Sequence, residues 1–174
     1  MRGRLAGLLS TGRVVIVGVG NRDRDDAFGP KVLDRLKGRV CRPLVDAGMR
    51  PENFAHRVAA CRPHVVLFVD AAELGEEPGR LALRRVEELA GGGISCHAGG
   101  VALMASYLAA VTGAACHALL AQRSRVNDSR PDEADSAATD PSPMSPPVWR
   151  AVDEACRIVL DALSANNASC VSRA

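Results

Sequence analysis

The chain has 174 residues, 47% of them apolar and 3% aromatic, with a net charge of +2. That is enough apolar material for one domain with an aliphatic core. The small, evenly mixed charge singles out neither nucleic acid nor an anionic membrane as partner, and no apolar run approaches the roughly 20 residues of a membrane span.

The opening MRGRLAGLLSTG carries a short patch, LAGLL. It is shorter than a signal-peptide core of roughly 7–15 residues, and no small-residue cleavage site follows. It reads as a ragged N-terminus, and the protein as cytoplasmic. Residues 13–19, RVVIVGV, form a continuous β-branched run bounded by glycine, the pattern of a fully buried strand. Residues 27–37 place Phe28, Val32, Leu33 and Leu36 at helical spacing, with Pro30 in the first turn, where its missing N–H costs least. A second strand is expected at 39–45 and a helix at 50–61. HVVLFVD (64–70) is another continuous apolar strand and ends on an acid. Residues 79–89 read as an edge strand giving way to a short helix, 91–97 as a loop, 101–111 as a helix and 115–121 as a buried strand.

Residues 123–144 are polar, proline-bearing and aperiodic, a composition that buries too little to order itself; they read as a flexible excursion. Helix resumes after Ser145, an N-cap followed by Pro146 at the first helical position. The expected organisation is a single domain over residues 1–165, with 166–174 a frayed tail. Strands alternating with helices imply βαβ units: an α/β fold with a mostly parallel sheet covered by helices on both faces. Ligands of such sheets sit at the carboxyl ends of the strands.

At those ends stand Asp25 and Asp26 after the first strand, Asp46 to Gly48 after the second, Asp70 after the HVVLFV strand, and His97 before the Ala-rich helix. GVGNRD is not a dinucleotide loop, because Asp23 stands where GxGxxG needs its third glycine; acids at 23, 25 and 26 also repel a pyrophosphate. A Walker-type loop is excluded for want of GK[ST]. Asp25 and Asp26 alone would pass for a helix cap. Two carboxylates and an imidazole delivered to one sheet edge by separate elements suit a divalent first-row metal instead. Asp26 is the expected ligand of the pair, and Asp25 a cap or a support for it. Ser10 and Thr11 lie on no nucleophile elbow. Six scattered cysteines without a CxxC pair read as buried small hydrophobes; Cys96 stands out only for preceding His97. His56, His64 and His117 read as structural.

The segments VVIVGVGNRDRDDAFGP, DAGMRPENF, HVVLFVDAAELGEEPG, SCHAGGVALMASYL and SPPVWRAVDEA, in this order and spacing, resemble the [NiFe]-hydrogenase maturation proteases over roughly residues 13–122 and 144–164. The resemblance implies a phosphorylase/hydrolase-like three-layer α/β/α sandwich. It implies an endopeptidase that removes the C-terminal extension of a nickel-loaded hydrogenase large-subunit precursor. The family's catalytic and metal-contacting positions fall on Asp26, Asp70 and His97, with nickel of the substrate or another divalent metal as the ion. One departure is the loop Arg22-Asp23-Arg24, which is one residue shorter than usual and lacks the usual glycine. The alternative is a non-catalytic metal-binding accessory or chaperone of hydrogenase maturation with the same fold. No nucleic acid or membrane partner is expected, and the chain is expected to be a monomer.

Overall fold

The computed structural model describes residues 1–10, 12–89, 97–124 and 143–171, the side chains of 165–171 excepted. The glycine run before His97, Cys96 and residues 125–142 of the predicted excursion lie outside the described residues.

Five strands form one sheet in the order β2-β1-β3-β5-β4. They are β1 (Val14–Val19), β2 (Leu44–Gly48), β3 (Val65–Ala72), β4 (Leu81–Arg85) and β5 (Ala115–Gln122). All neighbours run parallel except β4, which pairs antiparallel with β5 at the edge. The inner strands β1 and β3 are buried along their whole length, which is why both read as unbroken apolar runs. Edge strand β4 alternates instead.

Alternate residues of each strand feed two separate cores. Val14, Ile16, Leu67, Val69 and Leu119 pack under α1 (Arg2–Leu9), α2 (Phe28–Leu36) and α5 (Pro146–Val171). Val15, Val17, Phe68, Cys116 and Leu120 pack under α3 (Ala55–Ala60) and α4 (Ala98–Thr112). The molecule is therefore an α/β fold with helices on both faces of a mostly parallel sheet, as the alternation predicts.

Three elements depart from the sequence reading. The N-terminal patch is not ragged: it is helix α1, whose Leu5 and Leu9, one turn apart, are fully buried in the core shared with α5. Strand β2 lies at Leu44–Gly48 rather than 39–45, so DAG is part of the strand rather than a loop after it. Helix α5 runs on past Ala165 to Val171.

The chain leaves β1 toward β2 on one side and leaves β3 toward β4, beyond β5, on the other. The carboxyl ends of β1 and β3 therefore flank a topological switch point, the crevice where open α/β sheets hold ligands. Gly29 lets α2 approach that crevice: a Cβ there would run into the carbonyl oxygens of both Val19 and Val69.

Candidate functional site

Asp26 enters the crevice from a 3-10 turn, Arg24–Ala27, that links β1 to α2. Gly20, at φ 115°, turns the chain out of β1 in a conformation open to glycine, and its Cα faces the backbone of Asp26. The next amide, Asn21 N–H, then donates to Asp26 Oδ2 at 2.8 Å. The GVGN motif is thus an acid-holding turn. Within the short loop Arg24 stands at φ 49°, in left-handed backbone that glycine adopts more readily. Arg22 secures the loop by bridging Asp34 and Asp46, each at 2.8 Å. Asp46 is committed to that bridge and to the Gly48 N–H, so it does not join the site.

Asp70, 2% exposed, stands one residue beyond the last β1–β3 pair, Gly18 with Val69. Phe68, Leu89, Val101 and Leu120 line an apolar hollow beside it. His97, 6% exposed, is the N-cap residue of α4. Its Nε2 lies 3.2 Å from Asp26 Oδ1 and 3.4 Å from Oδ2. An ionised carboxylate only accepts, so Nε2 carries the proton and donates it.

Asp26, Asp70 and His97 each offer a ligand atom, and these atoms all lie within 4.8 Å of one another. Ligand atoms each about 2.1 Å from an ion in tetrahedral geometry stand roughly 3.4 Å apart, so the widest pair must close by up to about 1.4 Å to hold one. The donor set, two carboxylates and one imidazole, fits a divalent first-row cation that would replace the Nε2 proton. The electrostatics agree. Burial works against the charge on Asp26, but hydrogen bonds from His97 and the Asn21 N–H outweigh it and hold the carboxyl below its ordinary value. The Asp26 hydrogen bond raises the His97 pKa against a smaller desolvation effect, and the charge of Asp70 adds to it. A cavity of about 600 Å³ between α1, β4 and α5 contains none of the three.

Residues 30–162 match the sequence family described as hydrogenase maturation protease. The chain belongs to that family. Its members are peptidases by description. The crystal structure of a [NiFe] hydrogenase maturation protease HycI from Thermococcus kodakarensis aligns over 92% of this chain and 99% of its own, at 26% identity and a TM-score of 0.75. The solution structure of an endopeptidase HycI from Escherichia coli aligns over 83% of this chain and 87% of its own, at 21% identity and a TM-score of 0.66. The E. coli hydrogenase maturating endopeptidase HybD aligns over 87% of this chain and 92% of its own, at 22% identity and a TM-score of 0.65. These last two share the fold. No curated protein sequence matches the chain.

In this maturation protease the other sequence candidates lie outside the Asp26–Asp70–His97 cluster. His56 meets the Tyr107 hydroxyl at 2.9 Å, and His64 Nδ1 accepts from the Arg13 amide. His117 is buried in β5, and desolvation lowers its pKa, so it stays neutral. Desolvation pushes the Cys116 thiol up to about 12 and that of Cys156 upward as well, so neither is a thiolate nucleophile.

Two further residues support the crevice, Gln122, which carries no local signal in the sequence, and Asp25, whose partners the sequence does not indicate. Gln122, 1% exposed, accepts from Leu74 N–H and Glu76 N–H and donates to Glu73 Oε1 and the Arg123 carbonyl, pinning the loop that follows β3. Asp25 does not cap its own helix: it binds Ser124 and Ser145, 99 and 120 residues away.

Proposed function

We propose that this chain is an endopeptidase that removes the C-terminal extension of a nickel-loaded [NiFe]-hydrogenase large-subunit precursor, with Asp26, Asp70 and His97 reading the precursor's nickel. The observation that carries the reading is the convergence of these three side chains, from three separate elements, on one crevice within 4.8 Å. Membership of the hydrogenase maturation protease family supplies the reaction class.

In the reaction a water oxygen bonds to the scissile carbonyl carbon, the C–N bond breaks, and a proton passes to the leaving amine. A divalent cation at this site would supply Lewis acidity to the carbonyl or the water. The chain's own residues do the rest. Asp26 and Asp70 would balance the charge of such a cation, and α4 fixes the position of His97 beside them. Release of the His97 proton leaves Nε2 free to ligate. Substrate recognition and cleavage thereby depend on the same three groups, so an unloaded precursor lacks the contact that seats it.

The described cysteines Cys41, Cys61, Cys116 and Cys156 are free thiols, in keeping with action in the reducing cytoplasm. Among the described residues no helix is long and apolar enough to cross a membrane. We take the working unit to be one copy of the chain.

The test incubates the purified chain with large-subunit precursor, with and without nickel, and reads precursor length on a gel. Shortening of the loaded precursor alone is expected. Binding without shortening would assign the chain to the accessory class instead.

A further inference from the structure

Asp25 and Asp26 are neighbours in one turn and face different partners. Asp26 faces His97. Asp25, 2% exposed, accepts three hydrogen bonds from the opposite side of the crevice. Ser145 N–H reaches its Oδ1 at 2.7 Å, Ser124 N–H reaches Oδ2 at 2.8 Å, and the Ser145 hydroxyl reaches Oδ2 at 3.0 Å. All three are buried and charge-assisted, the strong class of hydrogen bond.

Both partners sit on parts of the chain that the core fixes. Ser124 follows the end of β5 by two residues. Ser145 immediately precedes α5, whose Val148 and Val152 are fully buried. Besides the Asn21 N–H that holds Asp26 within the loop, the loop is tied to neighbouring elements by more exposed contacts. Arg22 pairs with Asp34 and Asp46 in exposed bridges, and Arg24 occupies left-handed backbone.

We propose that Asp25 is a positioning residue for the metal-reading cluster. By joining the Arg24–Ala27 turn to the end of β5 and the start of α5, it sets where Asp26 meets His97 and Asp70. The proposal rests on the reading of that cluster as a metal site. Groups that orient metal ligands without touching the metal typically govern affinity by 10–100-fold.

Asp25→Asn keeps the shape of the side chain but turns one acceptor into a donor. That donor then faces an N–H or hydroxyl, and the turn shifts. Calorimetric titration with aqueous Ni²⁺ is expected to show affinity about 10–100-fold below wild type. In the metal-free protein, the His97 ring ¹⁵N shifts are expected to move toward those of Asp26→Ala. Val148→Ala, which weakens α5 without touching Asp25, separates positioning from mere stability: it is expected to stay within about twofold of wild-type affinity, with unchanged His97 shifts. Ser145→Ala removes only the hydroxyl contact and is expected to give a smaller loss in the same direction; it carries the test if Asp25→Asn does not fold.

Wild-type affinity and shifts in Asp25→Asn, or in Ser145→Ala where that variant stands in, would overturn the proposal. So would a Val148→Ala protein that reproduces both effects. If the wild type takes up no Ni²⁺, the metal reading fails, yet displaced His97 shifts in Asp25→Asn still uphold the positioning role and unmoved shifts still refute it.

Discussion

Gly29→Ala is the substitution from which the packing argument expects most. The added Cβ would overlap the carbonyl oxygens of Val19 and Val69, which belong to two different strands. Both obstacles are backbone, so no side chain can swing aside, and α2 must back away from the sheet. Overpacking of this kind costs about 1–3 kcal/mol, and two immovable neighbours put the expectation at the upper end. For a chain of this size each kcal/mol is worth roughly 2–4 °C, so Tm is expected to fall by about 6–12 °C. Since α2 continues directly from the turn that carries Asp26, Ni²⁺ affinity is expected to fall as well. Gly99→Ala is the matched control. Its Cβ meets nothing within 4 Å, and alanine is the better helix former by up to about 1 kcal/mol, so that variant is expected to be neutral or slightly more stable. Urea unfolding of both reads the difference. A Gly29→Ala loss below about 0.5 kcal/mol would refute the close approach of α2 to β1 and β3.

Leu9→Ala on α1 is expected to cost about 2–5 kcal/mol, because the side chain is fully buried and leaves a cavity against α5; urea unfolding reads it, and a neutral result would return α1 to the status of a loose tail. Gln122→Ala removes the acceptor of the part-buried Leu74 and Glu76 N–H groups, so a loss of about 1 kcal/mol is expected in the same measurement. The Asp26–His97 pair sets a pH dependence. The folded pKa of His97 lies above its ordinary 6.5, so its contribution is complete below that value and fades as pH rises through the raised one. The folded pKa of Asp26 lies below its ordinary 3.8, so its contribution is present above that value and is lost as pH falls further. The Tm difference between wild type and His97→Ala, followed across pH without metal, is therefore expected to favour wild type most between about 4 and 6.5 and to shrink on the alkaline side. A difference that grows on the alkaline side would contradict the pairing.

The sequence made the central architecture legible because the physics there is local. Strands β1 and β3 are buried on both faces, and a strand so placed must be apolar throughout. Ser145-Pro146 announces α5 for equally local reasons. The convergence of Asp26, Asp70 and His97 was legible because each stands near the carboxyl edge of the sheet or at the start of a helix, and the carboxyl-edge rule needs only that.

What stayed hidden depends on distance along the chain. Leu5 and Leu9 form a two-residue stripe, too short to declare a helix until α5 is there to receive it. Edge strand β2 is only half buried, so its pattern was weak enough for its start to be read five residues early. Asp25 reads from the sequence as a cap or a support for Asp26, and local rules cannot choose between them because its partners lie about a hundred residues further on. Gln122 at the end of a strand has no pattern at all that marks a fully satisfied amide. Arg24 takes left-handed backbone that no local pattern announces for an arginine, at an energetic cost of roughly 1–2 kcal/mol.

The central claim is that Asp26, Asp70 and His97 together read the metal and direct the cut. The most direct measurement is cleavage of nickel-loaded large-subunit precursor by wild type and by folded Asp26→Ala, Asp70→Ala and His97→Ala variants. A shortened precursor is expected with wild type and full-length precursor with each variant; cleavage at the wild-type rate by any one of the three would contradict that role.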